Sequence, residues 1–144
     1  IKQWLAQLGE QRIDEIIDPS LTFQMAVEDY RRHGYSEQWI NERMRSIEMR
    51  KELTDEWQRA GIHEQKDFAI LTNILTKAWS GMTTSEYKRH KGLTKENLRD
   101  NMTNVELALN TLAEVTATEI SRQRNPKGMA QSSQTAREGG EVAI

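Results

Sequence analysis

The chain has 144 residues, of which 36% are hydrophobic and 29% charged, and its formal net charge is −2. That length suits one domain, and so low an apolar share builds a core only if the hydrophobic residues share a few faces, as on amphipathic helices. The near-neutral charge argues against binding nucleic acid with the whole surface. The absence of cysteine excludes disulfides, thiolate catalysis and cysteine-based zinc sites.

Two further expectations concern the cellular location of the protein and whether the chain is part of a larger one. No apolar run reaches the roughly 20 residues of a membrane span, so we expect a cytoplasmic protein that has no membrane partner. The sequence begins at Ile1 and not at methionine, and we therefore expect a fragment of a larger protein.

Helix signals follow one another through the first 61 residues. Apolar residues at helical spacing from Trp4 to Ile17 predict a first helix, interrupted near Gly9. The pair Asp18-Pro19 reads as a cap and first turn of a second helix, which Gly34 closes. Ser36 is suited to cap a third and longer helix that stops at Gly61.

An aromatic residue follows two carboxylates near the end of this third helix. Trp57 continues the apolar stripe, so we expect it to be buried. Asp55 and Glu56 are expected to face water.

The middle of the chain predicts further helices. A core helix runs from His63 to Trp79. Thr83 and Glu86 have the spacing of a capping box and predict a short helix to about Lys91. Thr94 is suited to cap another short turn that extends through Leu98.

A second capping box introduces the most apolar helix. Thr103 and Glu106 begin it, and it extends to about Arg124. Its apolar residues occupy most of the circumference, which predicts a helix packed on several sides, with Leu109 and Leu112 in the core. We expect this helix to be the centre of the fold.

The composition becomes polar after residue 125. We therefore predict a helical domain over residues 1–125 and a weakly packed tail over 126–144, either partly disordered or forming one loosely docked helix over Met129 to Arg137. The fold class is all-α, a single bundle of about six to seven helices. Exposed aromatic residues and the tail also favour a homodimer.

Signals of catalysis are lacking. His33, His63 and His90 are isolated, and none has the spacing of a metal motif. Acidic residues such as Asp14-Glu15 and Glu114 are expected on solvated helix faces. We predict no catalytic, cofactor-binding or metal-binding residues, and hence no enzyme.

One segment concentrates positive charge. It contains five cations across a glycine turn, which are Lys88, Arg89, Lys91, Lys95 and Arg99. Exposed cations of this kind contact phosphates, which makes the segment a candidate nucleic-acid-binding site. The neighbouring acids Glu86, Glu96 and Asp100 favour the alternative, in which the charges are neutralised within the fold.

Four strings in the chain carry a family resemblance, namely residues 50–57, 68–72, 87–93 and 96–103. With them the sequence resembles the C-terminal region of phage antirepressor-like proteins of the Bro family and is similar to the C-terminal part of the DNA-damage-inducible protein D family. The resemblance implies that an N-terminal domain, thought to bind DNA, precedes this region. It also implies a setting of prophage regulation or the DNA-damage response, and it assigns no active-site residues.

Three functional interpretations therefore remain. The first is a non-catalytic interaction or dimerisation module that binds a protein partner, either a repressor or a recombination protein, in transcription or repair control. The alternative is an accessory nucleic-acid-binding domain that uses the Lys88 to Arg99 segment. An enzyme acting on nucleic acid ranks third, since no carboxylate constellation supports it.

Overall fold

The computed structural model describes residues 20–144, with side chains described from residue 23. This part contains six α-helices and no strand, which confirms the all-α prediction. The helices are Ser20–Arg32 (α1), Glu37–Arg59 (α2), Gln65–Ser80 (α3), Thr84–His90 (α4), Asn104–Arg124 (α5) and Gly128–Val142 (α6), and a 3-10 turn occupies Arg99–Asn101. The predicted helix from Trp4 to Ile17 and the Asp18-Pro19 cap lie outside the described residues.

The chain divides into two compact units, Ile1–Met44 and Arg45–Ile144. The described part of the first unit contains three packed aromatic rings. Tyr35 stacks on Trp39 with ring centroids 4.0 Å apart, and Tyr30 meets Trp39 edge-on at 5.1 Å. Ser36 caps α2 as predicted, because its hydroxyl accepts the Trp39 backbone N–H at 3.1 Å.

The second unit contains both predicted capping boxes. The Thr83 hydroxyl accepts the Glu86 backbone N–H, and the Glu86 carboxylate accepts the Thr83 backbone N–H. Thr103 and Glu106 make the same reciprocal pair at the start of α5. Each box satisfies N–H groups that a helix terminus would otherwise leave without a partner.

The segment between α4 and α5 differs from its prediction. No helical turn covers residues 94–98, and the Thr94 backbone N–H donates instead to the Glu96 carboxylate at 2.7 Å. The turn forms later, where the Asn97 side-chain oxygen accepts the N–H groups of Arg99 and Asp100 at 2.9 and 3.2 Å. Such an asparagine competes with a regular helix for the backbone donors.

The core of the second unit lies among α2, α3, α5 and α6. Trp57 is buried as predicted and packs beside Phe68, with ring centroids 6.0 Å apart. Asp55 is exposed as expected, but the prediction for Glu56 is wrong. Glu56 is buried because Arg59 and Arg122 pair with it at 2.6 and 3.3 Å. The buried apolar cluster comprises Leu53, Trp57, Ile62, Leu71, Leu75, Ala113, Ala117, Ala136 and Ala143.

Helix α5 is packed on fewer sides than its sequence predicts. Leu107, Ala113 and Ala117 are fully buried. Leu112, however, is 44% exposed, and Leu109 is only half-buried. The reason is that polar side chains, among them Asn110, Glu114 and Thr118, occupy part of the inward face, so that some of the apolar residues point outward.

The C-terminal segment also differs from its prediction of a weakly packed tail. Residues 128–142 form α6, which packs against α5 and α3 within the second unit. A Cβ atom at Gly139 would lie 2.7 Å from the Ala117 Cα atom, and one at Gly140 would lie 2.6 Å from the Ala78 Cβ atom. The prediction was based on how much apolar surface the segment could bury, and small residues contribute little of it. They do, however, let helices approach closely.

We expect Gly139→Ala to destabilise the domain by about 1–3 kcal/mol, the usual cost of overpacking a core. The helix propensity of alanine acts in the opposite direction by up to about 1 kcal/mol. Urea unfolding followed by circular dichroism measures the change. Arg137→Ala, at an exposed position of the same helix, is the control and should stay within about 0.5 kcal/mol of the original chain. A Gly139→Ala protein as stable as the original would contradict the close contact.

Candidate functional site

A buried carboxylate lies at the centre of the polar contacts between the helices of the second unit. Glu114, on α5, has no exposed surface. Its Oε1 atom lies 2.7 Å from Nη1 of Arg99 and accepts a hydrogen bond from the Asn110 side-chain amide at 2.9 Å. Its Oε2 atom accepts a hydrogen bond from Nη1 of Arg50 at 3.3 Å. A charge this deep is tolerable only when it is paired and hydrogen-bonded in this way.

The partners of Glu114 are themselves held in place. Arg50, on α2, donates to the Thr72 hydroxyl at 2.5 Å, and its guanidinium carbon lies 5.0 Å from the Trp57 ring centre. Burial lowers the pKa of Arg50, and the attraction of Glu114 opposes that shift. The Asn110 side-chain oxygen accepts the indole N–H of Trp79 at 3.1 Å. One carboxylate therefore faces two guanidiniums, which leaves the cluster with one positive charge in excess.

A pocket of about 210 Å³ adjoins this cluster. Thr72, Arg99 and Asn110 belong to both. The pocket is lined by Thr72, Thr76, Thr84, Lys88, Asn97, Leu98, Arg99, Met102 and Asn110. Its wall is mostly polar, and among the described residues it includes two cations and no carboxylate.

The five cations of the predicted nucleic-acid-binding segment do not form one face. Arg99 forms an ion pair with Glu114 at 2.7 Å, and Lys91 forms one with Glu106 at 2.8 Å. Lys88 lines the pocket. Arg89 and Lys95 are exposed. Within the described part of the chain no ion pair involves Lys88, Arg89 or Lys95.

The acids that pair with this segment are not its neighbours in sequence. The carboxylates of Glu86 and Glu96 instead accept backbone N–H groups near their own positions. Those hydrogen bonds lower the pKa of both carboxyl groups. The pairing acids, Glu106 and Glu114, come from α5.

Tyr87, Lys91 and Glu106 form a second polar group between α4 and α5. The Tyr87 hydroxyl donates to the Glu106 carboxylate, and the Lys91 ammonium lies 5.7 Å from the Tyr87 ring centre. Burial raises the pKa of Tyr87, and its hydrogen bond to Glu106 adds to that shift. Burial also opposes ionisation of Glu106, but the hydrogen bonds from Lys91 and Tyr87 outweigh it and hold the Glu106 pKa below its ordinary value. These contacts hold α4 against the start of α5.

Sequence reasoning missed Glu114 and Arg50. Glu114 was expected on a solvated face, which is wrong because two arginines from other elements satisfy it inside the domain. One signal was available: Leu107, Asn110 and Ala117 precede or follow Glu114 by seven, four and three residues, and this spacing places them on one face of a helix. No comparable signal marks Arg50, because its partners lie 22 and 64 residues away.

Residues 20–144 contain neither a metal-binding cluster of acidic or histidine side chains nor a helix suited to cross a membrane. No group of three or more histidine, aspartate or glutamate side chains is arranged to hold a metal ion in that range. None of its helices combines the length and the apolar composition that crossing a bilayer requires.

The fold and the site define an all-helical domain whose elements converge on a buried, doubly paired carboxylate. The family model of the DinD C-terminal domain matches residues 27–143. The chain therefore belongs to the DinD C-terminal domain family, which confirms the resemblance to DNA-damage-inducible protein D and links the chain to DNA-damage-inducible regulators. No curated protein matches the chain.

We expect Glu114→Ala to destabilise the domain by about 3–5 kcal/mol, because it leaves the charges of Arg50 and Arg99, whose side chains are only 26% and 18% exposed, without their partner. Chemical denaturation measures the loss. Glu119→Ala removes a carboxylate from the same helix that is exposed and paired with Arg122, and it should cost less than about 1 kcal/mol. Equal losses for the two variants would show that the buried pairing has no special role.

Proposed function

We propose that this domain is a non-catalytic interaction module of a DNA-damage-inducible or phage antirepressor-like regulator. In this proposal it binds a protein partner, either a repressor or a recombination protein, and thereby acts in transcription or DNA-repair control. Membership of the DinD C-terminal domain family supports the regulatory setting. An exposed apolar stripe on α5 supports binding to a protein.

The stripe consists of Val105, Ala108 and Leu112, which are spaced three and four residues apart and so lie on one side of α5. Val105 is 68% exposed and Leu112 is 44% exposed. Single exposed apolar residues are ordinary, but a row of them on one side of a well-anchored helix is typical of a surface that a partner covers. An apolar helix face is also one of the recurring elements of protein recognition.

The arrangement of the acidic residues supports a non-catalytic role. A general acid or base must be able to reach a substrate proton. Glu56, Glu106 and Glu114 are instead engaged in ion pairs with Arg122, Lys91 and Arg99. These pairs connect helices to one another, and the carboxylates in them serve the packing of the domain.

Leu112→Glu tests the stripe, and Val142→Glu is its control. Val142 lies on α6 and is 58% exposed. Both changes therefore place a charge at an exposed apolar position, one on α5 and the other on α6. We expect nuclease-treated extracts of DNA-damaged cells to yield the same specific partner with the original chain and with Val142→Glu. Leu112→Glu should lose that partner while its unfolding curve stays within about 0.5 kcal/mol. Equal recovery by both variants would contradict the proposal.

Self-association is a second part of the proposal. We propose that the chain forms a homodimer, since regulators of symmetric DNA sites are commonly two-fold dimers. Light scattering at micromolar concentration should give twice the monomer mass for the original chain. A monomer mass throughout would contradict dimer formation.

Binding of nucleic acid remains the second candidate, and one observation favours it. Lys88, Arg89 and Lys95 are without ion pairs among the described residues, which is the condition that phosphate contacts require. Lys91 and Arg99 do not meet it, because both are paired with carboxylates of α5. The electropositive surface is therefore smaller than the five cations suggest.

If the segment contacts DNA, Lys88→Ala combined with Arg89→Ala should weaken binding to all sequences alike. It should also flatten the dependence of affinity on salt by roughly one to two units, since each lost contact releases one counterion fewer. Titration against labelled duplex at two salt concentrations measures both effects. Unchanged affinity and slope would assign the segment to the fold or to a protein surface.

A further inference from the structure

We infer that the pocket beside Glu114 binds a small oxyanion, in particular the phosphate group of a phosphorylated ligand. This goes beyond the proposed protein partner and does not depend on it. Asn110 lines the pocket, whereas Leu112 and Val105 point to solvent on another side of α5. The two surfaces can therefore be tested separately.

Charge is the first argument. The cluster of Glu114, Arg50 and Arg99 carries one positive charge in excess, because one carboxylate faces two guanidiniums. Arg99 is also part of the pocket wall, and Lys88 adds a second cation to it. An anion in the pocket would meet the unpaired charge of Lys88 and the excess positive charge of the cluster. The surroundings are partly shielded from water, where electrostatic attraction is stronger than at an open surface.

Unfilled hydrogen-bond donors are the second argument. Thr76 is only 4% exposed and lines the pocket, yet its hydroxyl makes no hydrogen bond within the described part of the chain. The hydroxyl of Thr84, which is half-buried, also lines the pocket and makes no hydrogen bond among the described residues. The side-chain oxygen of Asn97 accepts two backbone N–H groups, so its amide N–H group is still available. Of these three residues only Thr76 is buried, and a bound ligand would give its hydroxyl the partner that buried polar groups normally have.

The type of group follows from the donors and the size. An ammonium, two hydroxyls and an amide can together serve several oxygens of one tetrahedral anion, whereas a carboxylate offers only two oxygens. The pocket measures about 210 Å³. Pockets that enclose drug-sized ligands measure roughly 300–1,000 Å³, so this one suits a small charged group. Leu98 and Met102 are buried in its wall and leave an apolar side for whatever carries that group.

Calorimetric titration of the chain with inorganic phosphate and with a nucleoside monophosphate tests the inference. Lys88→Gln should weaken binding by roughly tenfold or more, since it removes a charge-assisted hydrogen bond. Arg89→Gln is the matched control, because it removes the same charge from the next residue, which is exposed and outside the pocket. Its affinity should equal that of the original chain.

A second variant and a third probe sharpen the outcome. Thr76→Val keeps the volume of the side chain and removes its hydroxyl, and it should weaken binding several-fold. The third probe is an oligonucleotide without a terminal phosphate, which offers only backbone phosphates. If it binds the original chain and Lys88→Gln weakens that binding, nucleic acid is the source of the anion. The inference is overturned if no probe binds saturably, or if Lys88→Gln and Arg89→Gln lose affinity equally. Melting curves of the variants confirm that each remains folded.

Discussion

The arrangement of the second unit depends on the ionic contacts of Glu114. A carboxylate without exposed surface needs donors from several directions, and here they come from α2, the 3-10 turn and α5 itself. Such a cluster does not make a fold more stable than a well-packed apolar core would. It does penalise arrangements in which the charges fail to meet. Packings that separate Glu114 from Arg50 and Arg99 would leave charges unpaired, so the cluster favours the observed packing of the helices.

The sequence predicted the elements of the fold more reliably than their packing. The capping boxes at Thr83 and Thr103 and the cap at Ser36 depend on residues three positions apart, so a local pattern contains all the information. The burial of Glu56 and Glu114 depends on arginines distant in sequence, and no local pattern reveals them. Helix α6 was underestimated for another reason, because glycine, serine and threonine pack closely while adding little to hydrophobicity.

The same distinction holds for the candidate site. A run of positive charge over residues 88–99 was visible in the sequence, but its division into paired and unpaired cations was not. The carboxylates of α5 determine that division, because they neutralise Lys91 and Arg99. What remains is a pocket with one lysine and several hydroxyls, together with an apolar stripe on another side of the same helix. Local composition had grouped the paired and the unpaired cations into a single basic segment, and it had placed the residues of the stripe in the core.

The glycine contacts of α6 have a consequence for how the domain is made. Ala136 and Ala143 belong to the core, and Gly140 lies against Leu75 and Ala78, more than sixty residues earlier in the chain. During synthesis the N-terminal parts of a protein leave the ribosome first. The helices before residue 125 must therefore wait, with one side of their core uncovered, until residue 143 has emerged. Over that interval the nascent domain has exposed apolar surface, the condition under which incompletely folded chains aggregate.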